Sequence, residues 1–95
     1  MLVNKFYVIQ IETYIRKTDS TKWLFYAEDV FGMGYLTDDV MHNDVKRFPS
    51  LKDAKDFAEK CYDKFGTFST CPKDTVVTNV FIMTVEVQVD ISTRI

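Results

Sequence analysis

Ninety-five residues with a formal net charge of −2 make one domain, 1–95, which buries roughly 60–65% of its unfolded surface. The charge excludes a sequence-independent grip on nucleic acid, which needs a basic footprint. Three Gly and two Pro leave no linker or low-complexity tract, no apolar run reaches membrane-spanning length, and the start of the chain lacks the pattern of a signal peptide.

Residues 5–17 alternate. Tyr7, Ile9, Ile11, Thr13 and Ile15 fall on one face, and Gln10, Glu12, Tyr14 and Arg16 on the other, the period of a half-buried strand. Thr18, Asp19, Ser20 and Thr21 have turn chemistry, so residues 22–29 return as the second strand of a hairpin. Its centre, Trp23-Leu24-Phe25-Tyr26-Ala27, is apolar on both faces. Phe31-Gly32-Met33-Gly34 reads as a turn and Tyr35-Leu36 as a short third strand. Thr37 or Asp38 caps one irregular turn through Met41, and Lys46-Arg47-Phe48 is a brief extended piece.

The helix that follows has a start and a stop written into it. Ser50 is placed to accept from the backbone N–H of Asp53, whose carboxylate can reach back in a short capping box, and Gly66 supplies a left-handed C′ residue. Ala54, Phe57, Ala58, Cys61 and Phe65 recur at helical spacing as one apolar face. Lys52, Lys55, Asp56, Glu59, Lys60 and Asp63 solvate the other. Residues 67–74, with Pro72, form a loop. The last strand carries Val77, Phe81, Met83, Val85, Val87, Val89 and Ile91 on one face, and Thr78, Thr84, Glu86, Gln88 and Asp90 on the other. The class is therefore α+β: an antiparallel sheet in the chain order β-β-β-α-β, with one amphipathic helix packed on one face. A helix of about 15 residues spans roughly 23 Å, whereas a strand of that length spans roughly 50 Å. Either the strand bends at a bulge and the sheet curls, or a second copy covers the surplus as a homodimer.

Chemistry is sparse. Asp38-Asp39-Val40-Met41-His42-Asn43-Asp44 gathers three carboxylates and the sole His. It lacks the Gly and alternating oxygens of a calcium loop and the further His or Cys of a zinc site, so no metal or cofactor is expected. No base accompanies Ser50, Ser69, Cys61 or Cys71 as a nucleophile needs. The carboxylate pairs Glu28/Asp29 and Asp38/Asp39 show no shared apolar pocket for acid–base work. Gly32-Met33-Gly34 lacks the rest of a phosphate loop. No enzyme is expected. Cys61, on the apolar helix face, reads as a buried thiol rather than half of a disulfide with Cys71, which fits a reducing cytoplasm.

The charge is unevenly placed. Between Trp23 and Val45 there is no Lys or Arg, while Glu28, Asp29, Asp38, Asp39 and Asp44 put five negative charges there, interleaved with Trp23, Phe25, Tyr26, Phe31 and Tyr35. Aromatics among acids suit a protein surface facing a basic partner; nucleic-acid stacking wants the opposite sign. The plainer alternative puts these aromatics in the core and the acids in solvent.

Tyr35-Leu36-Thr37-Asp38, followed by Lys46-Arg47-Phe48-Pro49-Ser50-Leu51-Lys52-Asp53-Ala54, resembles a pattern in small phage and prophage accessory proteins, over residues 35–66. There a strand ends in Thr-Asp and a Lys-Arg-Phe precedes a Ser-capped helix; the insertion 39–43 departs from the tighter form. The resemblance implies a phage-encoded protein in the host bacterial cytoplasm that binds and blocks a host protein, anti-CRISPR and other anti-defence inhibitors being one group. The expected partner is then a host protein with a basic, nucleic-acid-binding surface, without direct nucleic-acid or membrane contact. Glu28, Asp29, Tyr35, Asp38, Asp39 and Asp44 are the expected partner-binding residues. The alternative is a self-assembling scaffold module with no host target.

Overall fold

The structure, a computed structural model, describes residues 2–65 and 75–89. The expectations for Gly66, Ser69, the 67–74 loop with Pro72, Cys71, Asp90 and Ile91 lie outside the described residues. Among the described residues, four strands and one helix follow in the order β1 (Leu2–Ile15), β2 (Ser20–Glu28), β3 (Gly34–Thr37), α1 (Leu51–Cys61) and β4 (Thr75–Val89), with a 3-10 turn over Tyr62–Lys64 after α1. This is an α+β fold with an antiparallel sheet. Across the sheet the strands stand β3-β2-β1-β4, so the last strand pairs with the first and β1 is central. No described helix is long and apolar enough to cross a membrane.

The β1–β2 turn is tighter than its composition suggests. Residues 16–19 make it, closed by the Asp19 amide donating to the Arg16 carbonyl at 3.3 Å. Asp19 takes the left-handed φ of 50°, a conformation that short polar side chains tolerate. Ser20 is thereby freed to pair with Ile15.

The register sorts the core into two clusters. Ile9, Ile11, Leu24, Tyr26 and Leu36 pack with Phe48, Ala54, Ala58 and Phe65 beneath the helix, and Phe57 and Cys61 join them half-buried. On the opposite face Val8, Phe25, Ala27 and Val45 form a second cluster, joined by Phe6, Tyr35, Val40, Met83 and Val85. The sheet is thus apolar on both faces near β2, as its centre requires. The cover on the second face is the irregular chain around Val40 and Val45.

Ser50 caps α1, its hydroxyl accepting from the Asp53 amide at 3.1 Å. The α pitch ends earlier than the sequence pattern. Cys61 adopts φ −106° and ψ 8°, the helix tightens to 3-10, and Phe65 is carried fully into the core.

One strand face needs correction. β1 and β4 pair over nearly their whole lengths, but Glu12 faces Asn79 while Thr13 faces Val77, which leaves Thr78 as an inserted residue. This bulge reverses the alternation, so Val77 joins Val80 and Ile82 against the helix-side cluster and parts from Phe81, Met83 and Val85. Glu12 latches the bulge: its carboxylate accepts from the Thr78 hydroxyl at 2.7 Å and the Asn79 amide at 3.0 Å. Those two bonds hold its pKa below the ordinary carboxylate value.

The helix face yields a stability prediction. Phe65 is fully buried, and Phe65→Ala should destabilise the fold by about 3–5 kcal/mol. Phe57 is half-buried and rests against the rings of Tyr26 at 5.2 Å and Phe48 at 5.3 Å, so Phe57→Ala should cost less, about 3 kcal/mol at the low end of that range. Urea denaturation of both variants checks the order, and an unchanged midpoint for either contradicts the packing.

Candidate functional site

β2 and β1 pair only from Gln10↔Phe25 to Ile15↔Ser20; beyond that they splay. Residues 45–48 fill the gap. The Glu28 amide donates to the Asp44 carbonyl at 2.9 Å and the Lys46 amide to the Tyr26 carbonyl at 3.1 Å. On the other side Tyr7 and Phe48 exchange backbone hydrogen bonds of 3.0 and 2.8 Å. The Lys-Arg-Phe piece is therefore a wedge between strands. Lys46 forms an ion pair with Glu28 at 2.9 Å and lies over the rings of Phe48 and Phe57. Arg47 stacks on Phe6, 4.8 Å from the ring centre.

This wedge fixes the acidic stretch, and most of the expected partner-binding residues are engaged locally. Glu28 is paired with Lys46. The Asp29 carboxylate accepts from the amides of Phe31 at 2.8 Å and Met33 at 2.9 Å. The Tyr35 hydroxyl donates to Asp44 at 2.5 Å, which, with the nearby carboxylates, pushes its pKa up to about 12. His42 Nδ1 accepts from the Asp44 amide at 3.0 Å, and its ring meets that of Tyr35 edge-on. Glu28, Asp29, Tyr35 and Asp44 thus gather at the Gly34 end of β3. Asp38 and Asp39 stand apart, past its Thr37 end, one four-residue strand or roughly 10–13 Å away. Both are exposed. Asp39 accepts from the Met41 amide at 3.0 Å, and Thr37 caps the turn by accepting from the Asp39 amide. Asp38 lines a cavity of about 260 Å³ beside Lys22, Thr13 and Thr37.

The aromatics divide. Phe25 and Tyr26 are core, with burial raising the Tyr26 pKa to about 12. Trp23 is 43% exposed against Phe81, while Phe31 is 87% exposed. Phe31 belongs to the β2–β3 connection, residues 29–33, together with Val30 (89%) and Met33 (67%). That turn is stiff. Besides the two bonds to the Asp29 carboxylate, the Asp29 amide donates to the Met33 carbonyl and the Gly32 amide to the Asp29 carbonyl, both at 3.0 Å. Gly32 takes φ 77°, which an L side chain adopts only at a cost. The turn thus holds out an apolar tip of three side chains, of which the sequence reading includes Phe31 in its acidic–aromatic surface but gives no role to Val30 or Met33. Its signal was Val30, Phe31 and Met33 set within turn residues.

The residues weighed for chemistry are placed as follows. His42 uses Nδ1 on a backbone amide, Cys61 packs against the helix-side core, and among the described residues no three His, Cys, Asp or Glu side chains converge as a metal site would need.

The Tyr35–Asp44 bond predicts a pH dependence. A phenol held above its ordinary value of 10.0 contributes stability that is full below pH 10 and is lost as pH rises through about 12. In ultraviolet titration, Tyr35→Phe should remove a tyrosinate that appears near pH 12; loss of one that appears near 10 contradicts the bond.

Comparison of the chain with protein-family models, with curated proteins and with solved structures returns no match.

Proposed function

We propose that this protein is a non-catalytic binding protein whose anchor is the β2–β3 tip. The observation that carries the reading is the exposure of Val30, Phe31 and Met33 on a turn stiffened by Asp29. Large apolar side chains displayed on a rigid support lose little conformational freedom on binding and are the kind of group that fills a partner's pocket. A folded monomer gains nothing from holding them in water.

The surrounding charge supports a basic partner. Glu28 is neutralised by Lys46, but Asp38 and Asp39 are exposed and carry no ion pair among the described residues, and Asp29 stands at the base of the tip. Such charges steer encounter with a positive surface. The partner in this reading is a host protein with a basic nucleic-acid-binding surface, and the protein blocks it in the manner of phage anti-defence inhibitors. The resemblance of residues 35–66 to phage accessory proteins supports that source and the bacterial cytoplasm as its setting.

Affinity capture from bacterial lysate, followed by titration of the captured partner, tests the reading. Phe31→Ala should weaken binding at least tenfold with the thermal midpoint unchanged. Asp38→Lys with Asp39→Lys should slow association and flatten its salt dependence. A partner indifferent to both sets of changes contradicts the proposal.

A further inference from the structure

The strand order leaves β4 with an outer edge to which no described strand is paired. Proteins normally blunt such an edge with Lys, Pro, a bulge or a short strand. β4 runs for fifteen residues with no Lys, Arg or Pro and one charge, Glu86; its bulge at Thr78 lies toward one end. The surface beside the edge is apolar on both faces. On the helix side a groove of about 290 Å³ separates α1 from β4, floored by Ala58, Val80 and Ile82 and rimmed by Lys55, Glu59 and Tyr62. On the other side Phe81 is 44% exposed beside Trp23.

We infer that this edge seats a second copy of the chain, by antiparallel β4–β4 pairing about a two-fold axis at Phe81. The edge is self-complementary about that point. Val80 stands opposite Ile82 of the second copy and Ile82 opposite its Val80, while the two Phe81 rings face each other on the Trp23 side. Glu86, the one charge on the strand, lies well away from Phe81, so the Glu86 side chains of the two copies fall on opposite sides of the axis and do not meet. The same axis brings the two helices together along the flanks that rim the groove. There Lys55 and Glu59 lie one turn apart with opposite charge, so Lys55 of each copy meets Glu59 of the other. This reciprocal charge pattern selects a second copy over an unrelated strand. The inference is independent of the β2–β3 tip, which lies beyond β1 and β2 from this edge.

Sedimentation equilibrium of the full chain should give twice the 11.1 kDa chain mass. Lys55→Glu and Glu59→Lys, both exposed positions, should each raise the dissociation constant about tenfold, and the double exchange should restore it. In a Cys61→Ala, Cys71→Ser background, Phe81→Cys should oxidise to a covalent dimer, because residues facing across a two-fold come within disulfide reach, whereas Thr84→Cys should not. A chain that is monomeric at all concentrations overturns the proposal. So does a dimer that fails to cross-link through residue 81 or ignores both charge reversals.

Discussion

The insertion of residues 45–48 between β1 and β2 is the interaction on which the rest of this structure depends. Once the two strands part beyond Gln10 and Phe25, the backbone groups of Tyr7, Tyr26 and Glu28 on the facing edges need partners, since buried amides and carbonyls are costly to leave unpaired. The wedge supplies them on both sides through Asp44, Lys46 and Phe48. It also projects Val45 into one core cluster and Phe48 into the other. A short irregular segment thereby does the work of a fifth strand.

The placement of the candidate contact surface follows from this constraint. With the wedge fixed, Lys46 reaches Glu28 and Asp44 reaches Tyr35, so the acidic end of the sheet is rigid. The β2–β3 turn rises from that rigid end with its own carboxylate clamp. Acids that look like a recognition surface in composition are in large part architecture, and the apolar tip they support is the stronger candidate for contact. The β4 edge is remote from both, separated by the width of β1 and β2.

Much of this was legible in the residues, and the failures have physical causes. The helix could be read because Ser50, Ala54 and Ala58 are local signals, one a cap and the others a spacing. The two-faced character of β2 was visible in its unbroken apolar centre. The wedge is hidden because its bonds are backbone bonds between residues sixteen to forty-one positions apart, which side-chain patterns do not record. Thr78 is hard to read because an inserted residue looks like a change of phase, so strict alternation puts Val77 on the wrong face. Of the site, the charge run was plain, but the Asp29 and Asp44 contacts depend on turn geometry and on the wedge. The exposure of Phe31 depends on where the strands end.

The wedge is tested most directly by native-state hydrogen exchange at the amides of Tyr7, Phe48, Lys46 and Glu28. If residues 45–48 are structural, these four amides exchange as slowly as those of Ile11 and Leu24 in the β1–β2 ladder, and they exchange together. Exchange at the rate of an open loop, with the ladder still protected, would contradict the account.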